Sequence, residues 1–260
     1  MDRHDGRQRA RVFDFRARVA PRPGAPARLL AAMDQYGIDR AAVTAGGVVD
    51  PDLLAEQVIR GGHVETDADN EAALAACEAS GGRLVPFWFG NPHGEGPDAY
   101  RKNAHRFRGL EISPAVHGVP LADDRTTALV EAAAEAGHAV YLVCLGRPGV
   151  GVTDLVALAG RFPDVTFVLG HCGFVGIDLY AVNTVRPVPN IVAETSGCYT
   201  GVARAALERL GPDRVLFGTE FPLQHPSVEL AKMRALELDD ATWHRVAWAN
   251  AHRLLGEEAP

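Results

Sequence analysis

Residues 138–171 read HAVYLVCLGRPGVGVTDLVALAGRFPDVTFVLGH, and this stretch decides the fold. It contains two short apolar runs, 138–146 and 164–171, each rich in the residues expected of a strand buried on both faces. The segment 152–163 between them has the apolar spacing of an amphipathic helix. Parallel strands need such a crossover connection, so the stretch predicts a strand–helix–strand unit of a parallel sheet.

The same alternation extends along the whole chain. Further apolar runs have the character of buried strands, at residues 11–19, 40–46, 83–90, 106–113, 190–197 and 214–221. Eight alternations in 260 residues fit a closed (β/α)8 TIM barrel better than a doubly wound sheet. We therefore predict an α/β fold with one TIM-barrel domain over residues 11–260, preceded by a disordered tail at residues 1–10.

Composition excludes several classes of protein. The chain has 26 Lys and Arg against 33 Asp and Glu, so its net charge of −7 gives no basic field for nucleic acid. The four cysteines include no C-x-x-C pair, which disfavours a disulfide framework. No apolar run is long enough to span a membrane, and the N-terminus has no apolar signal segment.

These observations predict a cytoplasmic protein that binds neither nucleic acid nor a membrane. Only two residues are lysines, and the abundance of Ala, Gly and Val suggests a GC-rich bacterial genome. A homodimer is compatible with the sequence.

Ionisable and polar side chains gather where the predicted strands end, which is where barrel enzymes place their active sites. Along the chain they are Asp14, Arg16, Arg18, Glu111, Ser113, Cys144, His171, Glu194, Ser196, Thr219 and Glu220. Burying an ionisable group inside an apolar run costs free energy unless the group is paired or has a function, so this collection of residues predicts a functional site. Strand alternation is expected to point Asp14, Arg16 and Arg18 to one face.

Four motifs resemble the amidohydrolase-related (amidohydrolase-2) branch of the metal-dependent hydrolase superfamily, which includes aminocarboxymuconate-semialdehyde decarboxylase. VLGHCGF (168–174) resembles the strand-6 histidine motif of that branch, and NIVAETSG (190–197) its strand-7 motif. RVLFGTEFP (214–222) resembles the strand-8 signature, and NAHRLLG (250–256) the last helix. The resemblance covers nearly the whole chain and implies a distorted (β/α)8 barrel with its site at the C-terminal rim.

The metal ligands of that family are mostly replaced in this chain. Its first strand ends in D-x-H-x-H, and the two metal-binding histidines fall on Arg16 and Arg18. The strand-5 histidine falls on Cys144 and the strand-8 aspartate on Glu220, whereas the strand-6 histidine is retained as His171. Guanidinium groups cannot ligate a cation, because they carry only donors and stay charged. We therefore expect no metal and no other cofactor.

The resulting hypothesis is a metal-independent enzyme that acts on a small anionic or carboxylated metabolite. Glu220 and His171 would be the catalytic pair that exchanges protons, in hydrolysis or lactone opening, decarboxylation, elimination or cyclisation. Substrate-binding candidates are Arg16, Arg18, Glu111, Cys144, Glu194 and Trp88. Arg16 and Arg18 would clamp the anion or, alternatively, pair with acidic neighbours and replace the lost metal crosslink.

Two other functions remain open at this point. The first is a catalytically silent barrel that binds a metabolite or a protein partner. The second is a divergent metal-dependent hydrolase with a residual site at Cys144, His171 and Glu220, since zinc accepts S, N and O ligands.

Residues 46–66 form the least regular stretch, which is long for a βα loop. It is expected to be either a functional lid or a loose surface insertion. His63 and His93 fall on loops at the same end of the barrel and could reach the site.

Overall fold

The computed structural model describes residues 10–174 and 176–259, so the predicted tail at residues 1–10 lies outside it apart from the exposed Ala10. Within these residues the strands are β1 (Phe13–Val19), β2 (Arg40–Ala45), β3 (Leu84–Pro86), β4 (Trp88–Gly90), β5 (Gly109–Ile112), β6 (Ala139–Leu142), β7 (Phe167–Leu169), β8 (Ile191–Glu194) and β9 (Val215–Leu216). Each falls inside one of the predicted apolar runs.

Helices connect the strands and cover the outside of the sheet. They are α1 (Ala25–Tyr36), α2 (Pro51–Arg60), α3 (Asn70–Glu78), α4 (Gly96–Asn103), α5 (Pro114–His117), α6 (Asp124–Ala136), α7 (Val152–Arg161), α8 (Leu179–Val185), α9 (Thr200–Leu210), α10 (Pro226–Arg234), α11 (Asp240–His244) and α12 (Asn250–Leu254). A π-helical turn, Arg245–Ala249, joins the last two. Among the described residues, no helix combines the length and apolar character needed to cross a membrane.

The strands pair in parallel, in the orders β1-β2-β3 and β4-β5-β6-β7-β8-β9. β3 and β4 are one stretch interrupted at Phe87, whose backbone N–H donates to the carbonyl of Val43 at 2.8 Å. The chain after β9 closes the ring, because the carbonyls of Phe217 and Phe221 accept from the N–H groups of Phe15 and Arg18, each at 2.8 Å. The predicted (β/α)8 barrel is therefore confirmed.

A bulge in β1 sets the direction of the first-strand side chains. Asp14 pairs with Ala41 and Ala17 with Val43, so Phe15 and Arg16 together stand opposite a single residue of β2. Since an extra residue inverts strand alternation, Asp14 does not share a face with both arginines. The expectation that it would do so was wrong, because the sequence pattern does not reveal the bulge.

The stretch 46–66 is more regular than predicted. It contains α2, whose N-cap Asp50 accepts hydrogen bonds from the N–H groups of Asp52 and Leu53, both at 3.0 Å. Pro51 occupies the first helical turn, where its missing N–H costs nothing. Asp50 followed by Pro51 is the sequence signal for the start of this helix.

Candidate active site

A cluster of two arginines and two glutamates fills the C-terminal end of the barrel. Arg16 donates from Nη1 and Nη2 to Glu111 at 2.5 and 2.8 Å, and from Nε to Glu220 at 2.5 Å. Arg18 donates from Nε to Glu220 and from Nη2 to Glu111, both at 3.0 Å. We call these four residues the charge cluster. Its formal charges cancel, as buried charges require.

The charge cluster keeps both of its carboxylates ionised. Burial alone would raise the pKa of Glu220, but the positive charges of Arg16 and Arg18 outweigh it and hold that pKa below its ordinary value. The same balance lowers the pKa of the fully buried Glu111. At neutral pH Glu220 therefore has no proton to give, and its lowered pKa makes it a weak proton acceptor.

Two of the site residues occupy left-handed backbone conformations. His171 has φ 60° and Glu220 has φ 57°, a region that residues other than glycine rarely adopt. Glu220 is held there by the hydrogen bond from its N–H to the carbonyl of Arg16 at 2.7 Å. Such strained positions concentrate at functional sites, where the surrounding structure over-determines them.

Ser196, which is itself held by Glu194, orients the His171 ring. Its Nδ1 lies 3.0 Å from Ser196 Oγ and 3.2 Å from the Ser196 carbonyl, while Nε2 lies 3.8 Å from Glu220 Oε2. Ser196 Oγ and the Tyr141 hydroxyl both donate to Glu194 Oε2, at 2.9 and 2.7 Å. With Nδ1 occupied by Ser196, Nε2 is the nitrogen available for proton transfer.

Gly218 allows this arrangement to form beside the charge cluster. A Cβ atom at this position would lie 2.3 Å from Glu194 Oε1 and 2.8 Å from Arg16 Cβ. Any side chain would therefore displace the buried Glu194 carboxylate.

The site opens into a cavity of about 440 Å³. Arg18, His171 and Glu220 contribute charged or polar groups to its lining. Most of the wall is apolar and includes Val48, Val49, Leu54, Val58, Phe89, Val116, Leu145 and Phe174. The stretch 46–66 thus supplies one wall of the cavity through the loop before α2 and α2 itself.

The remaining candidates are divided between this site and other places. Cys144 lines the cavity, but burial raises the pKa of its thiol, so it is an uncharged thiol at neutral pH. Glu194 is fully buried behind Ser196 and does not line the cavity. Trp88 is not brought to the site, because its ring packs edge-on against Phe107 at 5.0 Å between centroids.

A buried pair on α10 supports the site and was not predicted. The ammonium group of Lys232 donates to Glu229, to the carbonyl of Thr195 at 2.5 Å and to that of Cys198 at 3.1 Å. Glu229 in turn accepts from the N–H of Gly197 at 3.1 Å. The pair thereby fixes the segment 195–198 that positions His171. The i, i+3 spacing of Glu229 and Lys232 is a local signal for an ion pair on a helix, but the burial of this pair depends on the packing of distant elements.

The residues present do not fit the divalent metal that the family resemblance implies. Arg16 Nε lies 2.5 Å from the Glu220 oxygen that a metal would need, and a guanidinium cannot ligate a cation. The Cys144 thiol keeps its proton, whereas a zinc ligand must be a thiolate.

Asp14, next to the charge cluster, gives a prediction for pH dependence. It accepts from the N–H groups of Arg16 and Thr219, and burial raises its pKa to about 7. In the unfolded chain the value is about 3.9. Because the folded value is the higher one, the stability from this group is present below about pH 4 and is lost as the pH rises to about 7.

The variant Asp14→Asn keeps the side-chain shape but cannot ionise. We expect it to raise the melting temperature by several degrees at about pH 8 and to leave it nearly unchanged at about pH 4. Calorimetric scans of both proteins over this range give the difference directly. An equal difference at both ends would show that Asp14 is already ionised in the folded protein.

Comparison with known proteins adds a family match and several structural neighbours. Residues 10–256 match the model of the protein family described as Amidohydrolase. The chain resembles 5-carboxyvanillate decarboxylase from Sphingomonas paucimobilis, with 18% identity and a TM-score of 0.70 over 95% of this chain and 99% of that one. It also resembles 2,6-dihydroxybenzoate decarboxylase from Rhizobium, with 16% identity and a TM-score of 0.68 over 94% and 98%.

A third neighbour is the 5-carboxyvanillate decarboxylase of Novosphingobium aromaticivorans, which was crystallised with manganese and 4-hydroxy-3-methoxy-5-nitrobenzoic acid. It is 16% identical, with a TM-score of 0.69 over 96% of this chain and 97% of that one. At these identities the neighbours show the shared barrel fold alone. A search of curated proteins found no match.

Proposed function

This chain belongs to the amidohydrolase family, and from that premise we propose that it is a metal-independent enzyme acting by acid/base chemistry on a small carboxylated metabolite. Decarboxylation is the reaction that we favour among those open to such a site, because the structural neighbours named above are decarboxylases. One observation carries the proposal. An arginine, a histidine and an ionised glutamate face a largely apolar cavity of about 440 Å³ at the rim of the barrel.

Arg18 is the residue suited to hold an anionic group of the substrate. Its hydrogen bonds within the described structure use Nε and Nη2, so Nη1 remains as a donor for a ligand. Its side chain is 17% exposed, whereas that of Arg16 is only 2% exposed and fully engaged with Glu111 and Glu220. Arg16 therefore neutralises the carboxylates, and Arg18 is left to bind and orient the substrate.

His171 is the residue suited to carry the proton. Its side chain is 24% exposed, and its Nε2 lies 3.8 Å from Glu220 Oε2. For decarboxylation, Nε2 would give its proton to the carbon that bears the carboxylate. The bond between that carbon and the carboxylate would then break, its electron pair would stay with the product, and CO2 would leave. His171 would then recover a proton from solvent.

The apolar wall suits a flat hydrocarbon skeleton. Arg22 also lines the cavity, but Val48, Leu54, Val116 and Phe174 offer no hydrogen-bonding side chain to a carboxylate that packs against them. Such a group would lose its hydration without gaining a charged partner, which raises its free energy relative to neutral CO2. A cavity of this size accommodates a substrate of one or two rings.

Ligand binding is tested first by thermal shift against small aromatic and aliphatic mono- and dicarboxylates. We expect aromatic acids to raise the melting temperature, and Arg18→Met to reduce their affinity tenfold or more, because it removes a charge-assisted donor. Ser113→Ala, at another cavity-lining polar residue, is the matched control and should change affinity much less. Chelator treatment should leave both binding and turnover unchanged.

Three results would count against the proposal. If no carboxylate shifts the melting temperature and no turnover is found, the pocket is structural and the protein is a silent barrel. If chelation abolishes turnover and manganese or zinc restores it, the protein is a divergent metal-dependent enzyme. If Arg18→Met binds the same acids as tightly as the wild type, Arg18 does not hold the anion.

A further inference from the structure

We propose that His63, Glu65 and His93 form a binding site for a divalent transition-metal ion of borderline softness, such as Zn²⁺, outside the cavity. Their ligand atoms all lie within 4.8 Å of one another, and in the described part of the chain this is the one such group of His, Cys, Asp and Glu side chains. Glu65 Oε1 lies 3.8 Å from His63 Nε2 and 3.7 Å from His93 Nδ1. Ligands of tetrahedral zinc lie about 3.4 Å apart, so shifts of a few tenths of an ångström would suffice.

The ring of His93 already has the orientation of a metal ligand. Its Nε2 donates to the backbone carbonyl of His117 at 2.8 Å, which leaves the lone pair of Nδ1 for a cation. This outer hydrogen bond is the one that metal-binding histidines almost always make, because it fixes the tautomer and the ring plane. Arg125 Nη1 lies 3.4 Å from Nδ1, consistent with an acceptor at that atom.

The segments that carry the ligands are tied together before any ion binds. The buried side chain of Asn91 donates to the carbonyl of Glu65 at 2.9 Å and accepts from the N–H of His93 at 2.9 Å. His63 stacks on His93 with 5.4 Å between ring centroids and 11° between ring planes. His63 also packs closely over Gly118, because a Cβ atom added at residue 118 would lie 2.7 Å from the Cβ atom of His63. The site therefore needs little reorganisation.

The charge around the site favours a divalent cation. Among the described residues that hydrogen bonds and ion pairs connect to the site, the carboxylates of Glu65, Asp67 and Asp123 and the guanidinium of Arg125 give a formal charge of −2 when the histidines are neutral. Arg125 is engaged with Asp123 through Nε and Nη2, both at 2.9 Å. A metal ion would replace only its contact to His93. Arg125 is therefore a competitor of the ion, and its removal should tighten binding.

Zinc titration of the full, chelator-stripped chain against a chromophoric zinc competitor tests the site. We expect the wild type to bind about one equivalent, and zinc to raise its melting temperature through mass action. His63→Ala and Glu65→Gln, at exposed side chains, should weaken zinc binding roughly tenfold or more. Arg125→Ala should strengthen it, and His105→Ala, at an exposed histidine elsewhere, should leave it unchanged.

His171→Ala separates this site from the cavity. Zinc binding that survives in His171→Ala but is lost in His63→Ala supports the proposal. Zinc binding that survives in His63→Ala but is lost in His171→Ala overturns it, together with the metal-free mechanism. If the wild type binds no zinc, the peripheral site is overturned while the function proposed for the cavity stands.

Discussion

Arg16→Met is expected to destabilise the protein by about 3–5 kcal/mol, which is enough to abolish most soluble expression. Arg16 is 2% exposed and donates to both Glu111 and Glu220, the first of which is fully buried. Without its guanidinium, two ionised carboxylates would face the positive charge of Arg18 alone. Their repulsion and desolvation would then be uncompensated, and this accounts for the size of the effect.

A double variant distinguishes this explanation from a simple loss of packing. Arg16→Met combined with Glu111→Gln removes one charge of each sign and should recover a large part of the lost stability. Arg18→Met, at a more exposed member of the charge cluster, should cost clearly less. Urea denaturation gives the free energies of unfolding. A single Arg16→Met variant as stable as the wild type would show that the charge cluster does not hold the barrel rim together.

His171→Asn is expected to lower turnover a hundredfold or more while leaving ligand affinity within a fewfold of the wild type. Removal of a general acid/base has this effect, because the proton is transferred only in the transition state. Asparagine is suited to the position, since it tolerates the left-handed backbone of residue 171 better than most residues. Its amide can also replace the contact to Ser196.

Ser196→Ala is the matched comparison for this experiment. It removes the hydroxyl that lies 3.0 Å from His171 Nδ1 but leaves the backbone carbonyl at 3.2 Å, so turnover should fall much less. The readout is initial rate with the acid selected by thermal shift, together with the melting temperature of each variant. Turnover of His171→Asn within a fewfold of the wild type would remove His171 as the proton carrier.

The sequence by itself determined the barrel and the residues at its rim. Apolar runs of strand length alternate with amphipathic segments, and this period is local, so it can be read without knowing the packing. The family motifs around His171 and Glu220 were also visible, as was the replacement of the strand-1 metal ligands by Arg16 and Arg18. Helix α2 could have been found too, because Asp50 and Pro51 form a helix start.

Only the tertiary structure decided which of these residues pair with one another and which face the cavity. Glu111 and Glu220 lie 95 and 204 positions from Arg16, and nothing local indicates that one guanidinium binds both. The β1 bulge, which keeps the side chain of Asp14 from sharing a face with those of both arginines, depends on pairing with another strand. The sequence favoured a core position for Trp88 and left a place at the rim open, and packing against Phe107 placed the half-buried ring away from the site. Local patterns fix which elements form, whereas charge pairing and side-chain direction depend on contacts between elements distant in sequence.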